Sequence, residues 1–375
     1  MSIGKNKIEF IILSLGIFIS IISQIGPLME VMRPVMFVFW GFVIFSFGIL
    51  NYNDIKISEF SLIFIFIYVL YLIYCVLKSF YDPTYLNSNF LMVLLPPLLI
   101  TLVGDCYKPI VSYSNIKYLM SVFVFSALAY AVYVQFTYFT SLSSWISNME
   151  YAFVSKNSAA QIWGCAVIMI MTLLRFKNKY IQAGFYVIAA YLVFLCLLSQ
   201  CRTAILGMGI AYMWYMVKNK KNRLPLLGGT FLFIIIALFN WDSISDYLYK
   251  ALFLGAQDNS DINKLSSGRF EYYQDAFQQF MDNPMLGVGP YYVDNHYLCV
   301  LTESGILGFF LIEMIWVVRI ILNVKYRGNN NFQLFLVSIT LFYVVESLFE
   351  AFPPFGPGVC SVAFWLLSQL LQRYH

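Results

Sequence analysis

The sequence predicts an all-α, polytopic integral membrane protein, with about 12 transmembrane helices and one long outer loop that contains an amphipathic helix. Three observations carry this expectation. Only 11% of the 375 residues are charged, whereas a soluble domain carries about a quarter. Hydrophobic residues make up 61% of the chain and mean hydropathy is +0.74. Apolar runs long enough to cross about 30 Å of hydrocarbon recur along the whole length. There is too little charge to coat a globule of this size. A soluble cytosolic enzyme, a disordered chain and a nucleic-acid binder are therefore excluded.

The runs can be taken in order. The first, 8–26, has no small-residue cleavage site and reads as a retained span. Runs at 33–50 and 59–78 follow. The fourth, 90–104, is short and contains Pro96 and Pro97, which predicts a kinked or irregular span. Next come 117–140, 157–174, 180–198 and 203–217. The last two are separated only by Ser199, Gln200, Cys201 and Arg202, which makes a tight hairpin. A span at 224–240 precedes the long connection 241–296, and 297–322, 332–350 and 358–372 close the chain. The organisation is thus a bundle of about nine spans over 1–240, an outer loop over 241–296, and about three spans over 297–375. No internal repeat is apparent, so the inverted-repeat signature of many secondary transporters is missing.

Basic residues set the orientation. With the N-terminus inside, sixteen of the 23 Lys and Arg fall on inner segments and seven on outer ones. The clusters RFKNK (175–179) and KNKKNR (218–223) weigh most. An even span count places both termini inside.

The loop 241–296 is far longer than any other connection, and loops of this kind are usually functional. Within it, 268–282 carries Phe270, Tyr273, Phe277 and Phe280 at helical spacing. Ser266 or Ser267 would cap the start and Asn283-Pro284 would end it. This predicts an amphipathic helix over the outer mouth of the bundle. The glycines of LGVGP (286–290) read as turn residues, because no Lys-Ser/Thr follows them as in a phosphate loop.

Seven scattered cysteines without CxxC spacing read as core-filling thiols. Two histidines, His296 and His375, are too few for a histidine-rich metal site, and neither a metal nor a cofactor is expected. The outer cations are more informative. Arg202, at the hairpin, is either a snorkelling arginine or part of an anion site. Arg269 opens the loop helix, where a cation is mildly unfavourable unless an anion joins it at the free N–H groups. Lys156, at the start of the sixth span, is a weaker member of the set. Asp294 and His296 stand at an aqueous boundary, where either could serve as a general base. Glu303 is a carboxylate inside a span, which is costly in lipid. Glu346 and Glu350 share one helix face and could balance the outer arginines.

Four local patterns then carry a resemblance. KNSAAQ (156–161), SQCRTAILG (199–207), SSGRFEYYQDAFQQFMDNPMLGVG (266–289) and VDNHYLCVLTESGILGF (293–309) resemble, in order and spacing, the O-antigen polymerase and ligase family of bacterial surface-polysaccharide assembly. The matches cover roughly 155–310, and the first 150 residues agree only in hydropathy. In an ungapped alignment Asp294 occupies the family's histidine position, Asn295 matches its Asn, and His296 falls two residues later. The ligases look stricter about that histidine, so the departure favours a polymerase.

The resemblance implies a metal-independent glycosyltransferase in the bacterial inner membrane, with its site facing the periplasm. The polymerase would join undecaprenyl-diphosphate-linked oligosaccharide repeat units. The alternatives are an O-antigen ligase that transfers polysaccharide to lipid A-core and a non-catalytic flippase for lipid-linked oligosaccharide. Arg202, Arg269 and Lys156 would bind the diphosphate, and His296 or Asp294 would act as base. Asn157, Asn295, Glu303, Glu346 and Glu350 would support them. Membrane lipid and a regulator of chain length are implied partners, and nucleic acid is not.

Overall fold

The computed structural model describes residues 2–107, 113–138, 156–199, 201–219, 268–328, 330–356 and 362–372. Among these residues the chain is all helical. In chain order, α1 is Ser2–Ile22, α2 Met29–Leu50, α3 Glu59–Ser79, α4 Asn89–Cys106, α5 Tyr113–Tyr138, α6 Lys156–Thr172, α7 Lys179–Leu198 and α8 Arg202–Lys218. The helix α9, Arg269–Asp282, is followed by α10, His296–Lys325, and α11, Asn330–Ser347. A π-helical turn, Val362–Leu366, leads into α12, Leu367–Gln372.

The described residues do not confirm the expected count of twelve spans. Among the described residues, five helices are long and apolar enough to cross a membrane: α3, Pro83–Cys106 (which includes α4), α5, α7 and α10. A sixth arises if the pair Lys7–Ile22 and Gly26–Met32, bent by 108°, counts as one span. The shortfall has local causes. The first run turns sharply after Ile22, α6 and α8 have only 17 residues each, and the run after Pro34 in α2 is also short. The predicted span 224–240 lies outside the described residues.

The fourth run is a continuous helix through Pro96 and Pro97, not the irregular span predicted. Each proline lacks the N–H that would donate one turn back. Both prolines are buried among the neighbouring helices, and Thr101 Oγ1 donates to the Pro97 carbonyl at 2.7 Å. The hairpin between α7 and α8 forms as expected.

Packing brings α6, α8 and α11 together. The ring of Phe342 on α11 fits a slot made by two glycines. A Cβ at Gly164 or Gly207 would lie 2.7 or 2.8 Å from that ring. Small residues let helices approach this closely, and the slot fixes the end of α11 against the start of α8.

Contacts sort the connections into two ends. At one end, Lys78 donates to the Leu286 carbonyl, Ser88 and Asn89 reach Glu303, and Arg269 meets Glu350. At the other, Ser58 meets Asp105, Gln369 meets both, and Lys117 donates to the Arg175 carbonyl. Segments predicted outer meet one another, as do those predicted inner. Arg319, one of the sixteen basic residues counted on inner segments, does not sit at the surface. It is fully buried, lies 3.7 Å from the Phe60 ring centre, and donates to Gln369 Oε1 at 2.8 Å. Stacking and paired amides hold a charge that lipid would not tolerate alone.

Candidate functional site

The loop helix α9 runs where periodicity places it and ends at Asn283. Its N-cap is Gly268, at φ 79°, and the two serines expected to cap it lie outside the described residues. The expected apolar face is corrected in part. Tyr273, Ala276 and Phe280 turn inward, whereas Phe270 and Phe277 are about half exposed (48% and 54%). The small Ala276 is the point of closest approach, because α9 lies directly on α10, where Thr302 Oγ1 donates to the Ala276 carbonyl at 3.0 Å.

The turn after α9 fixes its position. The helix α10 breaks at Gly305, at φ 63° and ψ −173°. The break frees backbone groups, and the 284–289 turn satisfies them. Val288 and Gly289 donate to the Thr302 and Glu303 carbonyls at 2.9 and 3.2 Å, and Ile306 donates to the Pro284 carbonyl at 2.9 Å. A Cβ at Gly287 would sit 2.5 Å from the Glu303 carbonyl oxygen, and one at Gly305 2.5 Å from the Leu286 nitrogen. Both glycines also have positive φ, which side chains disfavour. Turn and break fit only as a glycine pair.

This frame presents Arg269 to two carboxylates. Its Nη2 is 3.3 Å from Asp294 Oδ2, before α10, and 3.3 Å from Glu350 Oε1, after α11. Burial works against the Arg269 charge, but the carboxylates of Glu350 and Asp294 outweigh it and hold the guanidinium above its usual range. Asn157 Nδ2 donates to the same Glu350 oxygen at 2.8 Å, and Gln161 Nε2 donates to Glu346 Oε2 at 2.9 Å. Amides four apart on α6 thus match glutamates four apart on the α11 side. Arg202, half-buried at the start of α8, is close enough to Arg269 for the two charges to repel. Cys201 Sγ lies 3.6 Å from the Lys156 carbonyl, which brings the start of α6 to the same place.

The remaining expected residues separate. His296 is fully buried. Its Nδ1 is 2.9 Å from the Ala351 carbonyl and its Nε2 3.0 Å from Glu313 Oε1, among the rings of Phe90, Tyr297 and Phe355. Asp294 is 30% exposed. Tyr292 donates to Asp294 Oδ1 at 2.9 Å and Tyr273 to its main-chain carbonyl at 2.5 Å. Asn295 caps α10 through Leu298 N and donates to the Leu348 carbonyl, both at 2.9 Å. Glu303 points away from the arginines to the start of α4. There it accepts from Ser88 Oγ at 2.5 Å, Asn89 Nδ2 at 2.9 Å and Phe90 N at 3.4 Å. A carboxylate at a helix N-terminus is stabilising, which accounts for its presence inside a span. Gln161, Tyr273 and Tyr292 were not anticipated. Only the matching four-residue spacings of Asn157/Gln161 and Glu346/Glu350 could have pointed to Gln161.

Fold and cluster together define a helical membrane protein with a compact charged site at one end of its bundle. Residues 187–312 match the family described as O-Antigen ligase, in agreement with the O-antigen polymerase and ligase family. The matched stretch contains Arg202, Arg269, Asp294, His296 and Glu303, and leaves Lys156, Asn157, Glu346 and Glu350 outside it. No curated protein matches the chain.

Proposed function

We propose that this protein is a surface-polysaccharide (O-antigen) polymerase of the bacterial inner membrane, with both termini cytoplasmic and its site facing the periplasm. One observation carries the reading: Arg269 is held by Asp294 and Glu350 within electrostatic reach of Arg202. The cluster thus joins cations for a diphosphate to a partly exposed carboxylate. The donor is a saccharide on undecaprenyl diphosphate and the acceptor is a second lipid-linked repeat unit. Asp294 takes the proton of the acceptor hydroxyl as its oxygen bonds to the anomeric carbon. The bond from that carbon to the diphosphate oxygen breaks, and the lipid diphosphate leaves with the electron pair. Arg202 and Arg269, with Lys156 nearby, stabilise the charge that develops on the leaving group. The apolar spans hold the polyprenyl tail.

Asp294 is favoured over His296 as base because the histidine is fully buried against Glu313 and Ala351. Asp294 in place of the family's histidine also favours a polymerase over a ligase. A ligase is the second reading, supported by the description of the matched family. Purified protein given lipid-linked repeat units should lengthen them on a gel. Arg202→Ala and Arg269→Ala should each lower chain growth about 100-fold or more. Unchanged growth in both variants would refute the two-arginine mechanism. Transfer to lipid A-core without lengthening would establish the ligase.

A further inference from the structure

Tyr292 stands apart from the groups used so far. The residue is 62% exposed, yet its ring is fixed at both ends. The hydroxyl donates to Asp294 Oδ1 at 2.9 Å. The ring meets Phe352 edge to face at 5.8 Å, and Phe352 meets buried Phe90 in the same way at 5.7 Å. An exposed aromatic ring normally moves among rotamers, and ordering it costs entropy on binding. Here that ordering is already done by a hydrogen bond and a ring ladder anchored in the core. Its hydroxyl also touches the carboxylate read above as the base.

We propose that Tyr292 is the platform of the acceptor subsite and packs against the C–H face of a sugar ring whose hydroxyl then reaches Asp294. This rests on the polymerase reading, and it adds a residue and a mode of sugar contact that the reading does not contain. Chemistry favours a saccharide. Sugar rings offer an apolar C–H face with hydroxyls around the edge, and a rigid aromatic beside a carboxylate complements both. The Tyr292 hydroxyl holds one Asp294 oxygen while Arg269 holds the other, so the platform also orients the base.

Three variants separate these roles. Tyr292→Phe keeps the ring and loses the hydroxyl. Tyr292→Leu keeps apolar bulk without a flat face, and Tyr292→Ala removes both. In chain growth on lipid-linked repeat units, Leu and Ala should raise the half-saturating concentration about tenfold. Phe should leave it within about twofold of wild type and lower turnover about fivefold through the freed carboxylate. Thermal unfolding in detergent identifies any variant that fails to fold, and the Phe and Leu pair still decides the question if Ala does. Wild-type saturation with Leu, at full turnover, would overturn the inference and leave the polymerase reading intact.

A second arm uses the free repeat-unit oligosaccharide, released by mild acid from the strain's own lipid-linked intermediates. Saturation-transfer NMR should show contact from an aromatic ring to sugar C–H protons in wild type and Tyr292→Phe, and its loss in Tyr292→Leu. That outcome upholds the subsite even if no polymer forms and the polymerase reading fails. An oligosaccharide that does not bind wild type, or binds Leu equally well, refutes the subsite.

Discussion

Glu350 Oε1 accepts from Asn157 and meets Arg269 at once, so its removal takes this acceptor from Asn157 and leaves buried Arg269 with Asp294 as its remaining carboxylate. Glu350→Ala should destabilise the protein by about 2–4 kcal/mol, read as a loss in chemical or thermal unfolding. Glu350→Gln keeps an acceptor and should cost roughly half as much. If Arg269 acts as proposed, Arg269→Lys should restore little of the activity lost in Arg269→Ala, because an ammonium lacks the planar fork of five donors that a guanidinium offers to carboxylates and a diphosphate together. Glu303 offers a contrast. Its partners all belong to the start of α4 and to Tyr291. Glu303→Gln should therefore lower stability by about 1–2 kcal/mol while chain growth per folded molecule stays near wild type. A selective loss of turnover would count against the capping role. Scarcity of charge made Arg202, Arg269, Asp294 and Glu350 visible in the sequence. It could not separate Glu303 from them, since a capping carboxylate and a reactive one look alike until their partners are known.

The turn at 284–289 and the break at Gly305 form one unit at the level of elements. Gly287→Ala and Gly305→Ala should each destabilise by about 2–4 kcal/mol, since a Cβ would meet backbone that cannot retreat and the positive φ adds strain. Gly184→Ala on α7 is the control. Its Cβ would meet nothing within 4 Å, and the change should be neutral or stabilise by up to about 1 kcal/mol. Differential scanning of the purified variants in one detergent checks the series. The glycines were legible as turn residues. Their docking into a broken helix was not, because hydropathy runs unbroken across Gly305 and a single sequence does not say which backbone groups find each other. The same limit explains α9. Its period was correct, but its inward face was shifted by the close approach at Ala276.

For the whole molecule, contacts between connections fall at two ends, which leaves open which end faces outward. Orientation itself can be tested by single cysteines in a variant lacking the seven native ones. Gln278→Cys should react with a membrane-impermeant maleimide in intact spheroplasts, and Lys177→Cys only after permeabilisation. The opposite pattern would invert the topology. The described residues bear out an all-helical membrane protein and leave the number of spans open. Apolar length does not distinguish a straight crossing from a run that bends by 108° after Ile22, or from a 17-residue helix such as α8.

The order of synthesis gives the docked turn a further significance. Residues 284–289 leave the ribosome before 302–307, so the turn's own donors and acceptors are in place when the interrupted helix arrives. The gap in α10 therefore need not stay unsatisfied in hydrocarbon while distant helices assemble. Because the closing contacts span so short a stretch of chain, this corner can form early and cheaply in entropy. It would then serve as the seed on which the later helices settle.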